Sequence, residues 1–248
     1  MLSKQLSRVR LWCRLFYAAC TSSSTLKFYD RISSFYDELF VSHAIHADAM
    51  CEIINSVFKP RIKRVKVLDL GCGTGLVSKK LAAYGYDVSG VDISCQSLQM
   101  FPRNNPHITT IQAEASVLPF KAARFDVVVC LGAWRHFENP PKVIDEISKT
   151  LKRNGICIIG YFPPAAAGLV SVNWPWPRHM LCKIYGGMIK MLGHTDHIDD
   201  SLLHETEDSL GLYFRDVRRI ASGHNQYLLI AQRYSHLSGL PSVCCTVR

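Results

Sequence analysis

Short apolar runs alternate along the chain with segments whose apolar residues recur at helical spacing. Four of the six residues in 65–70 are apolar, namely Val65, Val67, Leu68 and Leu70, which suits a buried parallel strand. Residues 76–84 have apolar side chains at helical spacing, so a helix is predicted directly after this strand. A second apolar run leads to Asp92, and a third covers residues 125–130. This alternation predicts an α/β fold with parallel strands.

The later part of the chain continues the pattern and then interrupts it. A helix is predicted over 140–151, where two prolines suit the first turn. Prolines alternate with tryptophans and methionines in 163–200, which predicts a cap over a pocket for a hydrophobic substrate. A helix, a strand over 212–220 and a final strand over 226–232 should follow. The tail, 235–248, shows no periodicity and should be loosely held.

The first 25 residues form an amphipathic segment that is rich in arginine and serine. Five of the nine net positive charges lie in residues 1–29, which contain no acidic residue. These properties are typical of a mitochondrial presequence, so we expect a mitochondrial protein, with a cytoplasmic one as the alternative. The segment could instead lie permanently in a membrane interface as a peripheral anchor, or be a fortuitous upstream extension.

Composition narrows the remaining possibilities. A chain of 248 residues suits one domain with additions, and no run of 18 apolar residues predicts a membrane span. Outside residues 1–29 the basic surplus is small, which gives little support for a nucleic-acid partner. The ten cysteines form no C-x-x-C pair, so we expect reduced thiols and no structural zinc. The oligomeric state is left open.

Three glycines at every second position, Gly71, Gly73 and Gly75, follow the first strand. They predict a strand-to-helix turn at the carboxyl edge of the sheet, where open α/β sheets bind ligands. The spacing differs from the G-x-G-x-x-G of dinucleotide sites, because Leu76 stands where the third glycine is needed. No Gly-Lys-Ser/Thr follows, so a P-loop is also excluded.

Two carboxylates accompany the turn. Asp69 lies at the end of the first strand, where it would repel a phosphate and favour a cationic or amino-bearing ligand. Asp92 ends the second strand, at a position where an acidic residue can bind ribose hydroxyls. The two carboxylates and the turn, whose glycines have no side chains to block a ligand, suit an adenosyl ligand that contains an amino acid and a sulfonium.

Residues from about 65 to 162 resemble class I S-adenosylmethionine-dependent methyltransferases. Asp69 and the three glycines match the first motif of that family, and Asp92 matches its second acidic residue. The resemblance implies a Rossmann-like, seven-stranded, mostly parallel sheet with helices on both faces and the last strand antiparallel, within a domain over 61–234. It implies S-adenosyl-L-methionine as the cofactor. The implied cofactor-binding residues are Asp69, Gly71, Gly73, Gly75, Asp92, Ile93, Glu114, Ala115 and Tyr29.

Some positions depart from the family pattern. Glu114 replaces the usual aspartate beside the adenine. Residues 151–155 resemble the turn before strand five but lack its proline and one of its glycines. Residues 26–60, here called the lid, resemble the N-terminal region of ubiquinone and menaquinone biosynthesis C-methyltransferases. Tyr29 and Tyr36 lie seven residues apart on nearly one helical face, so we expect either tyrosine near the cofactor, unless both only pack.

The predicted catalytic residues are His136 and Tyr36. His136 follows the fourth strand, next to the methyl group in the family, and a neutral imidazole could take a phenolic proton there. It could equally cap the strand or the next helix. The histidines and aspartates between His194 and His204 are better explained as a solvated turn than as a metal site, so no metal is predicted.

Three functions are compatible with these residues. The first is C- or O-methylation of a hydrophobic small molecule, with a quinone precursor as the best guess. The second is methylation of a wobble uridine in tRNA. The third is a non-catalytic partner protein that keeps the fold.

Overall fold

The computed structural model describes six parts of the chain, namely residues 2–39, 42–58, 64–101, 108–161, 200–221 and 227–233. The predicted cap lies outside the described residues except for its last position, Asp200. The tail over 235–248 and most of the polar cluster that begins at His194 also lie outside them.

Seven strands form one sheet, and they are β1 (Lys66–Leu70), β2 (Asp87–Asp92), β3 (Ile108–Gln112), β4 (Phe125–Leu131), β5 (Leu151–Tyr161), β6 (Asp216–Ala221) and β7 (Tyr227–Gln232). The strand order is β3-β2-β1-β4-β5-β7-β6. Strands β1 to β5 run parallel, while β7 is antiparallel to both β5 and β6. The predicted α/β fold, with a mostly parallel sheet and an antiparallel last strand, is confirmed.

Helices cover the sheet and extend in front of it, and they are α1 (Leu2–Thr21), α2 (Thr25–Ile32), α3 (Tyr36–Leu39), α4 (Ser42–Val57), α5 (Leu76–Ala83), α6 (Cys95–Gln99), α7 (Pro140–Thr150) and α8 (Asp200–Tyr213). Asn139 caps α7, since its Oδ1 accepts a hydrogen bond from the amide of Lys142, and the prolines fill the first turn as predicted.

The core lies on both faces of the central strands. Every residue of β4 is buried, and so is every residue of β1 except the first. Because successive side chains of a strand point to opposite faces of the sheet, they belong to two apolar clusters, one on each face. Val67 and Val127 belong to the one that α1, α2, α4 and α5 cover. Leu68 and Val128 belong to the other, which α7 and α8 cover.

Two boundaries differ from the sequence predictions. Residues 151–155, which the sequence predicts as a turn before strand five, are the first residues of β5. The pairing of this part of β5 with β4 is irregular, because the register shifts between Phe125 and Val127. The predicted strand over 212–220 was wrong at its start, because α8 continues to Tyr213. The amide of Phe214 still bonds to the carbonyl of Leu210, and the buried ring of Phe214 closes the helix against the core.

The first helix packs against the domain. Leu15, Ala18 and Ala19 are buried in the same cluster as the apolar residues of α2. Phe16 and Tyr17, two of the large apolar side chains of this amphipathic helix, are exposed. Among the residues that the structure describes, no helix is long and apolar enough to cross a membrane.

Candidate functional site

The turn between β1 and α5 depends on three glycines in the left-handed region. The φ angles are +74° at Gly71, +53° at Gly73 and +85° at Gly75. A Cβ on Gly71 would lie 2.3 Å from the Cβ of Ala133, and one on Gly75 would lie 2.4 Å from the ring of Phe101. A Cβ on Gly73 would meet no atom within 4 Å. Gly71 and Gly75 therefore allow close packing, while Gly73 presents bare backbone to open space, where a ligand can approach.

Asp92 fixes the turn from the end of β2. Its Oδ2 accepts a hydrogen bond of 2.8 Å from the Gly73 amide, and its Oδ1 accepts one of 2.8 Å from the Ser94 amide. Burial raises the pKa of Asp92, and these backbone hydrogen bonds oppose that rise. The carboxylate predicted to bind ribose thus also holds the backbone at the open glycine.

Asp69 lies beneath the same turn and is 1 % exposed. Its Oδ2 accepts a hydrogen bond of 2.5 Å from the hydroxyl of Ser78 on α5. Burial raises the pKa of Asp69 to about 7, and the nearby charge of Asp92 adds to that rise. Burial and the charge of Asp92 therefore disfavour the ionised form of Asp69, and a cationic ligand nearby would relieve that cost.

The lid is fastened over this edge by three polar contacts. Ser94 after β2 donates a hydrogen bond of 2.5 Å to Oδ1 of Asp30. Thr74 in the glycine turn donates to Asp37, which also pairs with Lys79 at 3.2 Å. The hydroxyl of Tyr29 makes the third contact, with the ring of a histidine after β4.

That third contact brings together residues from distant parts of the chain. The Tyr29 hydroxyl lies 2.9 Å from Nε2 of His136, and the ring centroids are 5.1 Å apart. Burial raises the pKa of Tyr29 to about 12, while the charge of Arg135 lowers it. The phenol therefore keeps its proton at neutral pH. Tyr36, the other predicted catalytic residue, contacts the ring of Tyr29 with centroids 6.2 Å apart.

The predicted adenine-binding residues lie after β3. Glu114 is exposed and accepts a hydrogen bond from the hydroxyl of Ser116, while Ala115 is buried. Ile93 is 51 % exposed, and its carbonyl accepts a hydrogen bond of 3.1 Å from the Gln112 side chain. The exposed apolar side chain of Ile93 suits one wall of a shallow site for a flat ring such as adenine.

Sequence reasoning missed the polar residues that fasten the lid. Asp30 and Asp37 each follow a tyrosine, because the tripeptide Phe-Tyr-Asp occurs at 28–30 and again at 35–37. The repeat indicated the right segment, but only its tyrosines were predicted as site residues. Ser78 and Ser94 gave no signal, because their partners become neighbours only when the helices pack. Within the described residues, no group of three or more potential metal ligands occurs, and all seven cysteines are free thiols.

Comparison with known proteins identifies the central part of the chain. Residues 68–159 match the family described as methyltransferase domain. The chain is 32 % identical over 102 residues to a ubiquinone biosynthesis O-methyltransferase from Psychrobacter cryohalolentis, covering 38 % of this chain and 39 % of that protein. It is 29 % identical over 145 residues to a demethylmenaquinone methyltransferase from Clavibacter sepedonicus, covering 57 % and 59 %. The chain thus spans less than two thirds of the curated relatives it matches.

Solved structures share the fold. A proposed S-adenosyl-L-methionine-dependent methyltransferase from Methanococcus maripaludis has a TM-score of 0.65 at 17 % identity, covering 85 % of this chain and 94 % of that one. Phosphoethanolamine N-methyltransferase 2 from Haemonchus contortus, in complex with S-adenosyl-L-methionine, has a TM-score of 0.55 at 14 % identity, covering 75 % and 52 %. The family resemblance predicted from the glycine turn and Asp92 is confirmed.

Proposed function

We propose that this chain, in which residues 68–159 form a methyltransferase domain, transfers a methyl group from S-adenosyl-L-methionine to a hydrophobic small molecule. The observation that carries the proposal is the open backbone at Gly73, whose amide is held by the half-buried Asp92 in the turn that follows the buried Asp69. This arrangement leaves room for a ligand where positive charge is favoured.

The residues present fit this cofactor. Asp69 is buried, Asp92 is half-buried, and the pKa values of both are raised, so a ligand with an ammonium and a sulfonium would offset the cost of keeping the two carboxylates ionised. The amides of the glycine turn and the wall at Ile93 would hold the adenosyl part. When bound, S-adenosyl-L-methionine supplies an activated methyl group, so the protein's task is chiefly to orient the acceptor.

The pair formed by Tyr29 and His136 supplies the proton chemistry. Because Tyr29 keeps its proton at neutral pH, the imidazole is the member of the pair that can accept one. The hydrogen bond of 2.9 Å fixes the orientation of the ring at the end of β4. A phenolic acceptor must lose its proton during methylation, so O-methylation would pass that proton to the Tyr29–His136 pair.

The substrate we propose is a quinone precursor. Two relatives that match the chain are named for ubiquinone biosynthesis and for demethylmenaquinone methylation. The Trp- and Met-rich composition of residues 163–200 agrees with an apolar ligand. Between C- and O-methylation we favour the latter, because a base stands at the end of β4.

Gly73→Ala tests the cofactor site without a steric clash inside the protein, and the backbone strain of a side chain at its φ of +53° is matched in the control. The added methyl group meets no protein atom within 4 Å but enters the space assigned to the ligand. Gly85→Ala is the matched control, since Gly85 has a φ of +90° and equally open surroundings in the turn between α5 and β2. Calorimetry with S-adenosyl-L-methionine should give loss of binding for Gly73→Ala and wild-type affinity for Gly85→Ala. Equal affinity in both variants would contradict the site.

The acceptor is tested separately. Purified enzyme and radiolabelled S-adenosyl-L-methionine should label a prenylated catechol and leave unmodified tRNA unlabelled. Labelling of tRNA alone would overturn the small-molecule assignment while leaving methyl transfer intact.

A further inference from the structure

The surface of α1 and α2 that faces away from the domain exposes large apolar side chains. Leu15, Ala18 and Ala19 already bury the inner face of α1. On the outer side, Phe16 is 56 % exposed and Tyr17 is 62 % exposed. Clustered exposed aromatic side chains contribute little to folding and mark surfaces that meet a partner.

The same surface is basic. Leu26 at the start of α2 is 37 % exposed and is a further exposed apolar side chain of these helices. The two helices also contain four cations with exposed side chains, and they are Arg10, Arg14, Lys27 and Arg31. The sole acidic residue in the sequence from 10 to 34 is Asp30, whose carboxylate accepts a hydrogen bond from Ser94.

Contacts between the two helices hold this surface in place. The guanidinium of Arg14 lies 4.1 Å from the ring centroid of Phe35 and donates a hydrogen bond of 2.8 Å to Ser34. The guanidinium of Arg31 lies 5.9 Å from the ring centroid of Tyr17. The patch is therefore a fixed part of the folded protein, on the reverse side of the helix that brings Tyr29 to the site.

We propose that this surface docks the protein on an anionic lipid bilayer, with Phe16, Tyr17 and Leu26 entering the headgroup region. We call it the basic-aromatic face, and it comprises Arg10, Arg14, Phe16, Tyr17, Leu26, Lys27 and Arg31. Cations beside exposed aromatic side chains match a surface whose headgroups are negative and whose interior is apolar, which is the chemistry of an acidic membrane. An acidic peptide without apolar side chains would use the cations but leave the aromatic side chains in water. The proposal does not depend on methyl transfer.

Vesicle sedimentation of the full chain tests the proposal. The protein should sediment with phosphatidylcholine vesicles that contain phosphatidylglycerol, stay in solution with phosphatidylcholine alone, and be released by salt. The double variant F16S/Y17S should lose most of this binding. The double variant R10Q/K27Q should weaken it about thirtyfold, since each cation contributes about fivefold near an acidic surface. Leu212→Ser is the control, because Leu212 is 82 % exposed on α8, outside the basic-aromatic face.

Several outcomes would overturn the proposal. One is the absence of sedimentation with either vesicle, and another is wild-type sedimentation of F16S/Y17S. A third is that the protein binds soluble polyglutamate as tightly as it binds vesicles, and that F16S/Y17S leaves this binding unchanged. That result would indicate an acidic protein partner instead of a membrane. Circular dichroism melting checks that each variant folds, and R10Q/K27Q keeps the test valid if F16S/Y17S does not.

Discussion

The hydroxyl of Tyr29 on α2 lies 2.9 Å from Nε2 of His136, although 107 positions separate the two residues in the chain. The contact joins the lid to the end of β4 and fixes the orientation of the imidazole that we propose as the base.

His136→Asn should lower kcat by a factor of about 10² to 10⁴, the usual contribution of a positioned general base. The affinity for S-adenosyl-L-methionine should stay close to that of the wild type, because no carboxylate or glycine of the turn is changed. Steady-state kinetics with calorimetry would separate the two effects. Tyr29→Phe removes only the hydroxyl and should give a smaller loss of kcat. An unchanged kcat in His136→Asn would exclude the imidazole as the base.

Asp69→Asn should make the ligand-free protein more stable at high pH and weaken cofactor binding. The pKa of Asp69 is about 7 when folded and about 3.9 when unfolded, so the folded protein holds this proton more tightly. The stabilisation from that proton is fully present below about pH 4 and is lost as pH rises through about 7. The asparagine variant should therefore gain about 1–4 kcal/mol over the wild type near pH 8, and little near pH 4.

Urea unfolding at the two pH values measures this difference. The wild type should also bind the cationic cofactor more weakly as pH falls below about 7, since Asp69 is then protonated. Parallel stability curves for the two proteins, with no divergence above neutral pH, would refute the assignment of a buried ionisable carboxyl.

Asp37→Ala should raise the KM for the cofactor while changing stability by less than about 1 kcal/mol. The ion pair of Asp37 with Lys79 is largely solvated, so its loss costs little folding energy, but it also removes the bond from Thr74 that fastens the lid. Asp48→Ala is a matched control, since Asp48 pairs at 3.0 Å with Lys80, the next residue on α5, with similar exposure. A KM that rises equally in both variants would point to the loss of an ion pair with α5 rather than to the loss of the Thr74 contact.

Asp126→Ala should destabilise the fold by about 1–3 kcal/mol without altering cofactor affinity. Its carboxylate accepts bonds from the Lys66 amide at 3.0 Å and from Nζ of Lys152 at 2.8 Å. These contacts tie β1, β4 and β5 together at the edge opposite the glycine turn. Thermal unfolding and calorimetry together check the prediction, and a loss of affinity in a folded variant would contradict it.

Much of the site could be predicted because its signals are local in sequence. The positive φ angles of Gly71, Gly73 and Gly75 follow from their spacing after a buried strand, and Asp92 ends the next strand at the same edge. The partners of Asp30 and Asp37 could not be predicted, because they depend on how separate helices dock. The burial of Ala18 in place of Phe16 has the same cause, since an isolated helix does not reveal which side its neighbours will cover.

The stretch from Tyr29 to Asp37 reaches three different strand ends through its three contacts. One outward swing of this stretch would break all of them together, whereas the loss of any single contact leaves the other two in place. We therefore expect the three hydrogen bonds to act as one closure, whose combined strength limits the rate at which a product leaves the site.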